Sequence, residues 1–297
     1  DGICAYVDPV AFAAALAPAT KQARIGFAVA QMALHHPIRF AEQMALIDHL
    51  SKGRLTVGLG RGTAYNIYDY QGFGIDHTEA QARFEEAEAI MLKAWQGGPF
   101  AHKGKFFDIV DMEITPKPVQ QPIPFYVASF SMTSLEMAAR RGLNIIYAPF
   151  AAGMMFGGLD KAVGAYREAS AKAGKPHGRA MCSYFVFIAD NEKEENYGRE
   201  AQMRYFRECA LPAFTMKPEH APPTMQYFQK IVHILDTMKK EDLSDKSILL
   251  GSSQKIIDTL NAAKPVSVID VRAGGLSPAL EALDEIGFFD AVKAGEF

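Results

Sequence analysis

HHPIRFAEQMALIDHLSKGRLTVGLGRGTAY, residues 35–65, runs through one helix, one strand and one glycine-rich turn in direct succession. Pro37 suits the first turn of a helix, where its missing N–H costs nothing. Phe40, Met44 and Ile47 then share one helical face, Arg39 and Glu42 lie on another, and Gly53 ends the element. Leu55 to Gly60 follows as a short strand apolar enough to be buried on both faces. Upstream, Arg24 to Met32 (RIGFAVAQM) reads the same way, and Val10 to Ala19 is an alanine-rich helix after Pro9.

The alternation continues downstream. Arg83 to Trp95 repeats a helical stripe through Phe84, Ala87, Met91, Ala94 and Trp95, and a Pro- and Lys-rich excursion spans Thr115 to Pro124. Phe125 to Ser129, Ile145 to Ala148, Met181 to Ala189 and Val266 to Val271 read as strands. Ser131 to Arg141 with Gly142 as its stop, Leu159 to Ala173, Glu192 to Cys209 and Ala279 to about Ala291 read as helices. Between Leu211 and Leu250 prolines 212, 218, 222 and 223 interrupt the pattern, and KKEDLSDK is a solvated stretch; residues 211–250 are expected to form a mobile lid or insertion. Apolar strands alternating with helices argue for a parallel sheet covered by helices, one α/β domain over residues 1–297. Alternation alone fits an open doubly wound sheet or a closed barrel equally.

Acidic and basic residues nearly balance, 34 against 31, so no chain-wide field favours nucleic acid or an anionic membrane surface. The three cysteines, Cys4, Cys182 and Cys209, are far apart and outside any CxxC spacing, which suits a reducing cytoplasm and gives no disulfide or metal framework. No apolar run approaches the roughly 20 residues of a membrane helix.

Two constellations carry chemistry. In Gly58-Leu59-Gly60-Arg61-Gly62-Thr63 the glycines let backbone approach a ligand beside Arg61, whose guanidinium grips phosphate with two parallel hydrogen bonds. It is no dinucleotide fingerprint, because no helix opens directly after it; a surface arginine in a Gly-rich turn is the alternative. In Ser129-Phe130-Ser131-Met132-Thr133-Ser134 a strand ends and a helix begins; Ser131 is a natural N-cap, the helix start suits an anion, and Thr133 and Ser134 add donors that capping alone does not require. His35-His36 precede a helix and are read as structural, with no HExxH or HxH pattern, so no metal is expected. Glu85 and Glu86 are placed on a solvated helix face.

The run at 35–65, Phe73-Gly74, Arg83 to Trp95 and VASFSMTSLEMAARRGL at 127–143 together resemble the bacterial luciferase-like flavin monooxygenases, with LLGSSQKIIDTL at 249–260 a looser match. The resemblance implies a TIM-like (β/α)8 barrel that binds reduced FMN, supplied by a separate flavin reductase. It implies O2 activation through a C4a-hydroperoxyflavin and transfer of one oxygen atom to a small organic substrate. Arg61 would hold the FMN phosphate, with Gly62, Thr63, Ser129, Ser131, Thr133 and Ser134 completing the cradle. Ala28 and Val29 correspond to a pair joined by a non-proline cis peptide beneath the flavin. Met32, Tyr65, Phe73, Tyr147 and Phe150 are candidates to line a dry pocket. Gly60 and Phe130 stand where luciferase itself has a cysteine and a glutamate, so light emission is not implied.

Six strands, starting at Arg24, Leu55, Phe125, Ile145, Met181 and Val266, fall short of a closed barrel's eight. The family's strand 1, helix 1 and strand 2 are therefore expected to precede Asp1, in roughly 30 to 50 residues. A histidine implicated in catalysis ends strand 2 in the family, so no catalytic residue is assigned within this chain. The resemblance also implies a homodimer in the cytoplasm. A deazaflavin-dependent oxidoreductase of the same superfamily and a non-catalytic flavin-binding protein are the competing readings.

Overall fold

A computed structural model of the chain describes residues 8–62, 67–214, 227–243, 248–263 and 266–269. It divides into two compact units, Asp1–Tyr126 with Pro212–Val232, and Val127–Leu211 with His233–Phe297. In chain order the elements are α1 (Pro9–Ala19), β1 (Ile25–Gln31), α2 (Pro37–Leu50), β2 (Leu55–Gly60), α3 (Ile67–Gly72), α4 (Ala80–Gln96), β3 (Phe100–Lys103), β4 (Asp108–Met112) and β5 (Phe125–Ala128). There follow α5 (Met132–Arg141), β6 (Asn144–Tyr147), α6 (Pro149–Phe156), α7 (Leu159–Lys172), β7 (Ala180–Ile188) and α8 (Glu192–Tyr205), which runs through a π-helical turn at Phe206–Ala210 into α9 (Leu211–Phe214). Last come α10 (Tyr227–Thr237), β8 (Ile248–Gly251), α11 (Ser253–Ala263) and β9 (Val266–Ile269). Among the described residues the main sheet has seven strands in the order β1-β2-β5-β6-β7, with β8 and β9 both pairing with β7. Among the described residues no helix is long and apolar enough to cross a membrane.

In the first unit β1 and β2 pair in parallel from Ile25↔Leu55 to Gln31↔Gly60, and their register slips by one residue between Phe27 and Ala30. The slip brings the Phe27 carbonyl against Gly58, where a Cβ would stand 2.1 Å from that oxygen. Every residue of β2 is buried, the burial on both faces that its apolar sequence implies. Trp95 of α4 donates from Nε1 to the Ala41 carbonyl of α2 at 3.2 Å, and the stripe Phe84, Ala87, Met91, Ala94 and Trp95 is buried.

At the start of these strands polar groups take over. Arg54 donates to the carbonyls of Ala17 (2.8 Å), Thr20 (2.9 Å), Ser51 (2.8 Å) and Ala23, closing the end of α1. Asp48, wholly buried in α2, accepts from the backbone N–H of Gln120 (2.8 Å) and from its Nε2 (2.7 Å).

Glu86 departs from the expected solvated face. Its carboxylate accepts from the N–H groups of Phe107 (2.9 Å), Phe106 (3.1 Å) and Lys105 (3.1 Å) and from His102 Nε2 (3.2 Å), tying the turn of the β3–β4 hairpin to α4. Burial alone would raise its pKa, but these donors win and hold it below the ordinary 4.5. A lowered carboxyl pKa contributes stability that is fully present above 4.5 and is lost as pH falls through the folded value. Glu86→Gln is expected to cost about 1.5–3 kcal/mol at neutral pH. Denaturation series across pH should also show a flatter acid limb than the wild type; equal slopes would rule out the assignment.

In the second unit β7 pairs in parallel with β6 (Ile145↔Ala180), with β9 through its first half (Met181↔Val266) and with β8 through its second (Phe185↔Ile248). Leu135, Ala138, Ala139, Ile145, Tyr147, Ala162 and Tyr166 form a core between α5, β6 and α7. Tyr166 both donates to the Leu143 carbonyl and accepts from the Gly178 N–H, each at 2.6 Å. Phe150 stacks on Phe206 at 4.4 Å, with Phe185 edge-on to the same ring at 6.0 Å.

The expected strand count needs correction. Six strands were expected from the apolar runs and the sheet has seven, because β8 lies at the end of the stretch assigned to a lid. That stretch also contains α10 and a 3-10 turn at Lys240–Asp242. The expected closing helix from Ala279 and the strand residues Asp270 and Val271 lie outside the described residues.

Candidate cofactor site

The C-terminal ends of β1 and β2 lie side by side, with Gln31 the register partner of Gly60. Arg61 follows directly and is half-buried; Gly62 has φ of 86°, in the left-handed region that glycine adopts without a steric cost. Tyr70 of α3, 2% exposed, donates its hydroxyl to the Arg61 carbonyl and so fixes the peptide that carries the guanidinium. Burial pushes the Tyr70 phenol up to about 12, against the opposing pull of the Arg61 and Arg83 cations, so it stays protonated and keeps donating.

Arg83, from the first turn of α4, brings a second cation to the same phenol. Its guanidinium carbon lies 5.0 Å from the ring centre of Phe106 and 5.3 Å from that of Phe107, and its Nε is buried without a partner. Among the described residues neither Arg61 nor Arg83 has a carboxylate within 4.0 Å. Arg61, just after β2, and Arg83, in α4, both act on the Tyr70 phenol, and with no carboxylate partner among the described residues they are candidates to hold an anion. Thr63 lies outside the described residues.

In the second unit the hydroxyl-rich segment is at the end of β5. Ser129 is wholly buried; its N–H donates to the Ile146 carbonyl at 3.4 Å and its Oγ has no partner. Ser131 caps α5 by accepting from the Ser134 N–H at 3.2 Å, while Ser134 Oγ accepts from the Ser131 N–H at 3.1 Å. This capping box accounts for both serines, which corrects the expectation that capping leaves Ser134 unexplained. Thr133 is exposed.

The Ala28–Val29 peptide is cis, the geometry the resemblance implies there. Of the pocket candidates, Met32 is wholly buried and Phe73 is 69% exposed. Tyr147 belongs to the core between sheet and helices, its hydroxyl donating to the Ala162 carbonyl at 3.2 Å, and Phe150 packs on Phe206. Tyr65 lies outside the described residues. His35 and His36 pack against Phe40 (4.9 Å) and Phe107 (5.4 Å). Cys182 is buried, and burial pushes its thiol up to about 12, away from nucleophilic reactivity.

Sequence reasoning missed Tyr70, Arg83 and Gln31. Tyr70 lies where only a loop was expected. Arg83 carried a signal: it is an arginine in the first turn of α4, directly before Phe84 of the buried stripe.

The oxygenase component of the flavin-dependent trigonelline monooxygenase of Acinetobacter baylyi is 30% identical over 183 residues, 60% of this chain and 49% of that protein. The chain spans about two fifths to one half of the length of the first curated relatives it matches. A monooxygenase of Streptomyces bottropensis shares the fold, with a TM-score of 0.67 at 24% identity over 89% of this chain and 75% of that one. An F420-dependent secondary alcohol dehydrogenase shares it too, with a TM-score of 0.68 at 16% identity over 89% and 78%. With these likenesses the parallel sheet and its covering helices have the architecture of the luciferase-like barrels. The model of the family described as luciferase-like monooxygenase matches residues 2–264, and the chain belongs to that family.

Proposed function

We propose that the protein is the oxygenase component of a flavin-dependent monooxygenase, receiving reduced FMN from a separate reductase and using O2 to oxidise a small organic molecule. The observation that carries this reading is Arg61 at the end of β2 and Arg83 of α4, both near Tyr70 and neither with a carboxylate partner among the described residues. A flavin phosphate is a dianion that two arginines balance. The flavin-dependent relative, named as an oxygenase component, supports a division of labour with a reductase.

Reduced flavin, when bound, supplies the electrons that activate dioxygen. The chain's own residues bind and orient. Arg61 and Arg83 would hold the phosphate, Tyr70 would keep the Arg61 peptide in place, and Gly62 would let backbone pass close to the ligand. In the second unit by itself, Ser129 Oγ is buried with no partner among the described residues, and the Ser131 and Ser134 hydroxyls are occupied by the capping box.

Arg61→Ala is expected to weaken binding of reduced FMN by about 1.5–3 kcal/mol, the range for a hydrogen bond to a charged group. An anaerobic titration measures this, and unchanged affinity would falsify the phosphate assignment. The structural likeness to an F420-dependent dehydrogenase favours a second reading, hydride transfer with a deazaflavin. The phosphate cations serve either cofactor, so titrating the wild type with reduced FMN and with the deazaflavin separates the two.

A further inference from the structure

We infer that Gln31 is a binding residue for the polyhydroxylated chain that links a flavin's phosphate to its ring, accepting a hydroxyl hydrogen bond at Oε1. This rests on the flavin reading above. Gln31 closes β1, and its Nε2 donates to Asp69 Oδ2 of α3 at 3.4 Å. The carboxylate takes only donors, so it fixes which end of the amide is nitrogen and turns the carbonyl away from α3. That carbonyl oxygen, Oε1, is buried and receives no hydrogen bond from any group among the described residues. A buried acceptor left in this state is costly, and a native structure that keeps one calls for an explanation.

The position names the donor. Gln31 is the register partner of Gly60, the residue before Arg61, so its backbone runs one strand spacing, about 4.8 Å, from the strand end that leads into the guanidinium proposed to hold the phosphate. In a flavin phosphate the groups next to the phosphate are sp3 carbons bearing hydroxyls, each of which both donates and accepts, whereas the ring N–H lies at the far end of that chain. A hydroxyl hydrogen is therefore the donor nearest to an acceptor beside Arg61. The same polyol occurs in FMN and in the deazaflavin, so Gln31 serves either reading. Apolar substitution removes both the free acceptor and the Nε2 bond to Asp69, so the loss of polyol binding is read against a ligand that lacks the polyol.

Three ligands dissect the contact: reduced FMN, reduced riboflavin, which lacks the phosphate, and reduced lumiflavin, which lacks the whole chain. Anaerobic titrations of the full chain should show Gln31→Met weakening FMN and riboflavin alike, by about tenfold or more, and leaving lumiflavin unchanged. Arg61→Ala should weaken FMN and spare the other two. Both Gln31→Met and Gln31→Leu also lose the Nε2 bond to Asp69, so the free variants should melt somewhat below the wild type, and their unchanged lumiflavin affinity shows that the folded site is retained. Unchanged FMN and riboflavin affinity in both variants overturns the proposal, as does an equal loss for lumiflavin, which would place Gln31 at the ring or in the fold. A wild type that binds FMN no better than lumiflavin overturns instead the phosphate reading on which the proposal stands.

Discussion

Asp48→Ala is expected to lower the stability of the fold by about 3–5 kcal/mol, among the largest effects of any side-chain truncation in the first unit. Asp48 is wholly buried, yet it forms no ion pair among the described residues; its two carboxylate oxygens are satisfied by the Gln120 N–H at 2.8 Å and by Gln120 Nε2 at 2.7 Å. Each is a bond to a charged group, worth about 1.5–3 kcal/mol, and the truncation also leaves the Gln120 peptide N–H without its acceptor. Gln120 Nε2 further donates to the Leu55 carbonyl at 2.9 Å, and Arg24 donates to Gln120 Oε1 at 3.2 Å and to the Leu55 carbonyl at 3.0 Å. One carboxylate thus organises the entry of β2 and the excursion that leads to β5. Urea denaturation should show the midpoint falling with little change in slope. Asp48→Asn should cost less, because one oxygen remains to accept from the peptide. A loss below about 1 kcal/mol for Asp48→Ala would mean that the network does not hold the excursion in place. Gln120→Ala in the same background supplies the coupling energy through a double-mutant cycle.

What the sequence revealed depended on how much of each element's stability is local. β2 runs from Leu55 to Gly60, the bounds read from an uninterrupted apolar run, because a strand buried on both faces has no polar position to blur its ends. The α4 stripe was legible for the same reason. β8 was not: Ile248, Leu249, Leu250 and Gly251 make a run of four at the edge of a charged, Pro-punctuated stretch, and only the parallel pairing with Phe185 to Ile188 makes it a strand. The β3–β4 hairpin was missed because its alternation is weak, with Val110 80% exposed, and because what fixes it to the unit is Glu86 on a distant helix. The glycine-rich turn marked Arg61 as a ligand-binding candidate. Tyr70 and Arg83 lie 9 and 22 residues further on and join it only through α3 and α4. Ser134 shows the opposite error, since its hydroxyl had seemed spare and is spent on the capping box.

Gly58→Ala is expected to cost more than about 3 kcal/mol, beyond the usual range for overpacking a core, because the added atom meets backbone and no side chain can rotate away. A Cβ at Gly58 would stand 2.1 Å from the Phe27 carbonyl oxygen, 3.2 Å from its carbon and 3.0 Å from Val29 Cγ1. Relief requires β1 and β2 to part at the point where their register slips, between Phe27 and Ala30. The glycine is therefore explained by strand packing, and the proposed ligand-facing role rests on the residues after it, Arg61 and Gly62. Gly26 supplies the control: it lies on the paired strand, and its Cβ would find Thr56 O at 3.5 Å and Thr56 Cβ at 3.8 Å, ordinary contact distances. Gly26→Ala should be neutral or slightly stabilising, through the smaller backbone entropy lost on folding. The two variants make the same chemical change, so their difference isolates the close approach. A functional consequence follows from the same geometry. Parting the strands at Gly58 moves the end of β2 and with it the Arg61 peptide that Tyr70 holds, so any folded Gly58→Ala protein should bind reduced FMN more weakly than Gly26→Ala does. Equal stability of the two variants in denaturation would show that β1 and β2 do not pack in this register. Equal affinity despite a stability gap would separate the strand packing from the placement of Arg61.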